Sequence, residues 1–175
     1  MSVITMSKPK DDVVSALARR AELEVVVLGC DKCAKVSKTG GSEEVRSIRL
    51  ELSRAGIPVR NVAGLVDAVE EGLCDAKAVS ERLQRLLPGD GAFQVLVLSC
   101  GAGLKCVRDV LPGVRLVPGL DTLGPGVKGD LACLACGDCR FGDEGCKMLS
   151  LAGEHAARLK ASYGAAAQTA GPITG

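Results

Sequence analysis

The chain is predicted to be α/β, with a small parallel sheet of about four strands flanked by helices, then a cysteine-rich cluster-binding loop and a terminal helix. Three observations predict this. Two short apolar runs rich in valine, LEVVVLGC at 23–30 and FQVLVLSC at 93–100, have the continuous hydrophobicity of strands buried on both faces. Segments with apolar residues at helical spacing alternate with such runs from about residue 23 to 118, the pattern of a parallel sheet with crossover helices. Aromatic residues are scarce, with no Trp, 1 Tyr and 2 Phe, so burial has to come from Val, Leu, Ile and Ala. At 175 residues the chain has room for one ordinary domain with appendages. The divisions expected are an α/β domain over 1–128, a metal-binding loop with the terminal helix over 129–164, and a tail over 165–175.

The elements follow in order. Val13, Val14, Leu17 and Ala21 predict a helix over 9–21, with Asp11 or Asp12 as its N-cap. The first strand, 23–30, ends in Gly29-Cys30. A turn at Thr39, Gly40 and Gly41 precedes a helix capped by Ser42, whose Val45, Ile48, Leu52 and Ala55 form one stripe and which Gly56 stops. A weaker strand over 57–62 and a helical patch over 65–71 lead to Cys74. A helix then starts at Asp75, turns Val79, Leu83, Leu86 and Leu87 inward, and stops at Pro88. The strand 93–100 ends in a cysteine as the first does. Gly101 and Gly103 open a helix running through Val107, Val110 and Leu111 to Pro112, and a fourth strand covers 114–119. Met148, Leu149, Leu151, Ala152, Ala156 and Leu159 predict the terminal helix.

The formal net charge is +1, so no global field favours nucleic acid or anionic lipid, and stacking platforms for bases are lacking. No apolar run reaches the length of a secretory signal or a membrane span, which predicts a cytoplasmic protein without membrane insertion. In a reducing compartment, 9 cysteines point to metal or redox chemistry rather than to a disulfide framework.

Two groups of cysteines carry that chemistry. Cys133, Cys136 and Cys139 stand at C-x2-C-x2-C, with Cys146 six residues on. Three thiolates so closely spaced form a tripod suited to three corners of a 4Fe-4S cubane, and Cys146 most simply closes the same cluster. A zinc knob that orders the tail is the structural alternative. Lys128, Arg140 and Lys147 suit either, since both leave a net negative thiolate cluster. The second group is dispersed. Cys30 and Cys33 follow the first strand and Cys100 ends the third, and in a parallel sheet the strand C-termini share one edge, where ligands bind. Cys74 is the first choice for a fourth ligand and Cys106 the second, though a free cysteine is often a plain core residue. A thioredoxin-like redox pair at Cys30 and Cys33 needs a helix starting at the first cysteine, whereas the next helical pattern begins only near Ser42.

Other motifs do not reach a function. Gly101 and Gly103 lack the third glycine of a dinucleotide fingerprint, because Cys106 stands there. The SKTGG stretch lacks the upstream glycine of a phosphate-binding loop. His155, the single histidine, has no triad partner, and Glu43, Glu44, Glu70 and Glu71 read as solvated helix faces.

Four stretches, LGCDKCAKVSKTGGSEEV, LVLSCGAGLKCV, VPGLDTL and CLACGDCRFGDEGC, resemble in order and interval the small (MetV-type) subunit of bacterial methylenetetrahydrofolate reductase complexes, a family also found as a C-terminal domain of some reductase barrels. The resemblance spans about residues 25–148. It implies a cysteine-rich α/β module that carries iron-sulfur or zinc centres and docks on a flavin-bearing TIM-barrel subunit, where methylenetetrahydrofolate is reduced. The chain would then be a non-catalytic subunit relaying electrons between that flavoprotein and another redox partner, such as a further iron-sulfur donor or acceptor. The resemblance carries over Cys30, Cys33 and Cys100 as ligands of a second 4Fe-4S cluster or zinc, and Cys133, Cys136, Cys139 and Cys146 as ligands of the C-terminal cluster. Two departures stand out: Ser37 occupies a position that is often a third cysteine, and none follows Cys146. The rival readings are a zinc-holding structural adaptor, a subunit of another flavoprotein oxidoreductase, and a freestanding thiol oxidoreductase.

Overall fold

A computed structural model describes residues 2–65, 72–87 and 93–126. Residues 66–71 of the helical patch expected over 65–71, the cysteine-rich loop, the terminal helix, the tail and His155 lie outside the described residues.

The chain enters on strand β1 (Ser2–Ser7) and helix α1 (Lys10–Ala18), then β2 (Glu24–Gly29). A one-turn helix α2 (Cys33–Val36) and the longer α3 (Ser42–Arg54) follow. After α4 (Ala76–Leu86) come β3 (Phe93–Leu98), α5 (Gly101–Val110), β4 (Arg115–Pro118) and β5 (Leu120–Gly126). The expected parallel sheet is present, with strands in the order β2-β3-β4. Glu24 to Gly29 pair in register with Phe93 to Leu98, and Gln94 to Val97 pair with Arg115 to Pro118.

The expected strand over 57–62 reduces to one parallel bridge, Val25 to Val59, closed by Val25 N–H to Pro58 O at 2.8 Å and Arg60 N–H to Val25 O at 2.9 Å. Pro58 has no N–H to extend a ladder, which keeps this segment at the edge. The bridge still fixes the topology. From β2 the chain first steps to one side, at Val59, and then returns to β3 on the other side, so the winding reverses between β2 and β3.

Every residue of β3 is buried, as are the last five of β2, so both faces of the sheet are covered. α3 packs against β2, α1 against β4, and α4 against α5. Leu17, Leu52, Leu83 and Val107 are fully buried, each worth about 1.5–3 kcal/mol relative to an exposed side chain. Val79 and Leu83 turn inward from α4 as expected, and Asp75 caps it, its Oδ1 accepting the Ala78 N–H at 3.1 Å.

Two other caps differ from expectation. Asp11 and Asp12 lie inside the first turn of α1, after Pro9, where carboxylates favour the helix dipole without capping it. α3 begins one residue earlier than a Ser42 cap would place it: Gly41 is the N-cap, and its N–H donates to Glu44 Oε2 at 2.8 Å.

Gln94, fully buried in β3, organises the opposite end of the sheet. Its Nε2 donates to the carbonyls of Leu17 and Arg20, both at 3.1 Å, and so satisfies the C-terminal end of α1. Arg115 donates to Gln94 Oε1 at 2.5 Å and to Ala16 O at 2.7 Å.

The two-stranded antiparallel sheet of β1 and β5 was not expected from the sequence. It pairs Ser2 with Gly126 and Ser7 with Leu120, and Lys8 forms an ion pair with Asp121. Among the described residues, no helix is long and apolar enough to cross a membrane.

Candidate metal centre at the sheet edge

The C-terminal ends of β2 and β3 lie side by side, Gly29 opposite Leu98. Cys30 follows the first and Cys100, two residues on, follows the second. Both cysteines are buried, and both sit where the winding of the sheet reverses, the position at which open α/β sheets form a ligand crevice.

The loop from Asp31 to Gly40 folds back on this edge. Cys30 N–H donates to Gly40 O at 2.8 Å, while Thr39 N–H and Gly40 N–H converge on Ala34 O at 2.9 and 3.2 Å. Gly40 has no substitute here: a Cβ would lie 2.4 Å from Leu98 O and 2.9 Å from the Ala34 Cβ. The closed loop holds Cys33, half-buried, at the first position of α2. A helical turn therefore does follow the C-x2-C pair, earlier than the pattern at Ser42 indicated. It begins at the second cysteine and lasts four residues, which is not the long helix from the first cysteine that a thioredoxin-like pair requires.

β1 fastens the loop from outside. Thr5 N–H donates to Ser37 Oγ at 3.2 Å, and the hydroxyls of Thr5 and Thr39 share a hydrogen bond of 2.7 Å. Ser37, at the position where the resembling family often has a cysteine, serves here as an acceptor for the β1 backbone. β5 reaches the same edge, with Thr122 Oγ1 accepting the Gly101 N–H at 2.9 Å, immediately after Cys100.

Cys74 arrives through a third segment. Gly72 has φ +85°, and a Cβ on it would come 2.7 Å from Lys32 Cγ and 3.8 Å from Cys30 Sγ, so this backbone passes directly over Cys30. Leu73 then inserts into the core and Cys74 is exposed. The surroundings raise the Cys74 thiol pKa. The packed edge behind its sulfur withdraws solvent, the largest cause, and negative charge on Cys30, on Cys100 and on Cys33 adds to it. The four thiols named from the sequence thus belong to one electrostatic neighbourhood. Cys106, half-buried on α5, directs its thiol to Cys74 O at 3.7 Å.

Convergence stops short of a ligand set. Among the described residues, no group of three or more His, Cys, Asp or Glu side chains is arranged to hold a metal ion. Four thiols without a cation repel one another as they ionise, and metal sites of this kind close as the ion binds. The donor chemistry nevertheless fits: four soft sulfurs from three chain segments suit zinc or iron-sulfur ligation. Asp31 adds a detail, with Oδ2 accepting from Lys35 Nζ at 2.7 Å and a buried Oδ1 that has no hydrogen-bond partner among the described residues.

Cys133, Cys136, Cys139 and Cys146 lie outside the described residues. Sequence reasoning located the strand-end cysteines but not the parts that hold them: Gly40, Gly72, Thr5 and Thr122. TGG at 39–41 was legible as a turn. Its close approach to Leu98 was not, because that depends on a strand more than fifty residues away. Comparison with protein-family models, with curated proteins and with solved structures gives no match to this chain.

Proposed function

We propose that this chain is a metal-bearing electron-transfer subunit of a methylenetetrahydrofolate reductase-type complex in the cytoplasm. The observation that carries this reading is that Cys30 and Cys100 are buried at the ends of neighbouring strands where the sheet's winding reverses, with negative charge on Cys30, Cys100 and Cys33 acting on the Cys74 thiol. These four would hold one centre, a 4Fe-4S cluster or zinc. Cys133, Cys136, Cys139 and Cys146 would hold a 4Fe-4S cluster, a reading supported by their spacing.

When bound, an iron-sulfur cluster supplies a one-electron couple whose potential depends on burial, charge and hydrogen bonding at its sulfurs. The chain's own residues provide the shielding. Gly40 and Gly72 bring backbone close to Cys30, and Thr122 fixes the first amide of α5 beside Cys100. Folate and flavin chemistry would belong to a TIM-barrel partner, in keeping with the resemblance of the four cysteine-bearing and adjoining stretches.

Anaerobic purification of the full chain with quantification of iron, inorganic sulfide and zinc tests the reading. Iron and sulfide with broad visible charge-transfer absorption are expected, together with copurification of a flavin-containing barrel from the native source. A colourless protein holding zinc alone would replace the relay with the structural adaptor.

A further inference from the structure

We propose that Cys74 and Cys106 form a reversible dithiol-disulfide couple, driven by exchange with a small-molecule disulfide, which withdraws Cys74 from the sheet-edge centre. The consequence for the metal rests on the reading of Cys74 as a ligand; the couple itself rests on geometry.

Cys106 Sγ lies 3.7 Å from the carbonyl oxygen of Cys74. That contact places the two residues side by side, and a disulfide forms where Cα atoms stand about 4.4–6.8 Å apart with their Cβ atoms facing at about 3.5–4.5 Å. Backbone packing holds the two segments together. A Cβ on Gly103, three residues before Cys106, would lie 3.0 Å from the Cβ of Leu73, the neighbour of Cys74. The first turn of α5 is therefore pressed against the segment that carries Cys74.

Exposure then sets the order of events. Cys74 is the exposed thiol among the five described cysteines, Cys106 is half-buried, and Cys30 and Cys100 are buried. An oxidant arriving from solvent meets Cys74 first, and Cys106, whose Sγ approaches the Cys74 carbonyl at 3.7 Å, is a resolving thiol outside the proposed ligand set.

The exchange balances. Cys74 first gives its proton to solvent, and the resulting thiolate attacks one sulfur of glutathione disulfide, forming a mixed disulfide and releasing one glutathione thiolate. The Cys106 thiolate then attacks Cys74 Sγ, forming the internal disulfide and releasing the second. Two protein thiols are oxidised, one glutathione disulfide is reduced to two thiols, and the two protons end on the departing glutathiones. A dithiol reductant reverses both steps. With Cys74 in the disulfide, the edge retains three thiols, one short of a closed four-ligand site.

The test uses the full chain with Cys133, Cys136, Cys139 and Cys146 replaced by Ser, alongside the wild type. Each protein is reduced, stripped of metal and incubated anaerobically with glutathione disulfide. Remaining thiols are alkylated, disulfides are mapped by mass spectrometry, and binding of zinc alone is titrated before and after. A Cys74 to Cys106 crosslink is expected in both proteins, with zinc affinity at the edge at least about tenfold weaker and restored by a dithiol reductant. In Cys106→Ser, zinc binding should survive an oxidant wash followed by mild thiol reduction of any mixed disulfide. Crosslinks joining Cys74 to Cys30, Cys33 or Cys100 in place of Cys106 would overturn the proposal, as would a Cys74 to Cys106 crosslink that leaves zinc binding unchanged. Cys74→Ser separates the two failures: full zinc affinity in that variant removes Cys74 from the ligand set, whereas weakened affinity with no Cys106 crosslink in the parent faults the couple alone.

Discussion

Gly40 joins Cys30 to Leu98: its carbonyl oxygen takes the Cys30 N–H at 2.8 Å, and its Cα stands so near β3 that a Cβ would lie 2.4 Å from Leu98 O. One residue thereby clamps the C-x2-C loop to the neighbouring strand. The obstacle to a larger side chain is backbone, which cannot rotate away.

Gly40→Ala is expected to lower stability by about 1–3 kcal/mol, the range for forcing a group into a packed interior. The loop would lift from β3, so metal content should fall along with the melting temperature. Denaturant unfolding and metal analysis of the same preparation check both.

Gly72→Ala differs in mechanism. The atom its Cβ would meet first is Lys32 Cγ, in an exposed and flexible side chain, so the steric conflict is relieved cheaply. The positive φ is not, and a left-handed conformation costs an L-residue about 1–2 kcal/mol. Adding Lys32→Ala should recover little of the loss, and a double-mutant cycle in urea measures the recovery.

The fold was legible where a local pattern carries it. β2, β3, α4 and α5 follow from valine runs, amphipathic spacing and terminal Gly or Pro. Strands β1 and β5 were not legible, since VITM is a short run before a charged PKDD and β5 contains Gly124 and Pro125. Their strand identity comes from pairing with each other across more than a hundred residues. The segment at Val59 failed the other way: IPVRNV has strand composition, but Pro58 and the edge position leave it one bridge. At the site, strand-end cysteines were legible because β2 and β3 end in them, and Cys74 followed from chain direction. The reach of Cys106 toward Cys74 O depends on how α5 lies against Leu73, which no local pattern encodes.

Gln94→Leu removes an amide that serves two helix-end carbonyls and receives Arg115. Each buried group left without a partner costs about 1–3 kcal/mol. The variant should unfold at lower urea with an unchanged slope, while metal content per folded chain stays at the wild-type level, because this network lies at the opposite end of the strands from the cysteines.

The Cys74 thiol gives the metal-free chain a pH dependence. Its pKa is raised above the ordinary 9.0 by burial and by negative charge on Cys30, Cys100 and Cys33. The folded state then holds the proton more tightly than the unfolded state. This contribution to stability is complete below 9.0 and is lost as pH rises through the raised value. Equilibrium unfolding of the reduced, metal-free protein across that window should show the decline, and Cys74→Ser should flatten it.

We propose that the sulfurs of Cys30, Cys33, Cys74 and Cys100 hold one metal centre. X-ray absorption of the full chain with Cys133, Cys136, Cys139 and Cys146 replaced by Ser, loaded anaerobically, tests this most directly. Zinc bound there should have four sulfur neighbours at about 2.3 Å, the usual zinc-thiolate distance, and an iron-sulfur cluster should add the short iron-iron scattering of a cubane. A shell of nitrogen and oxygen, or a chain that retains no metal, would contradict it.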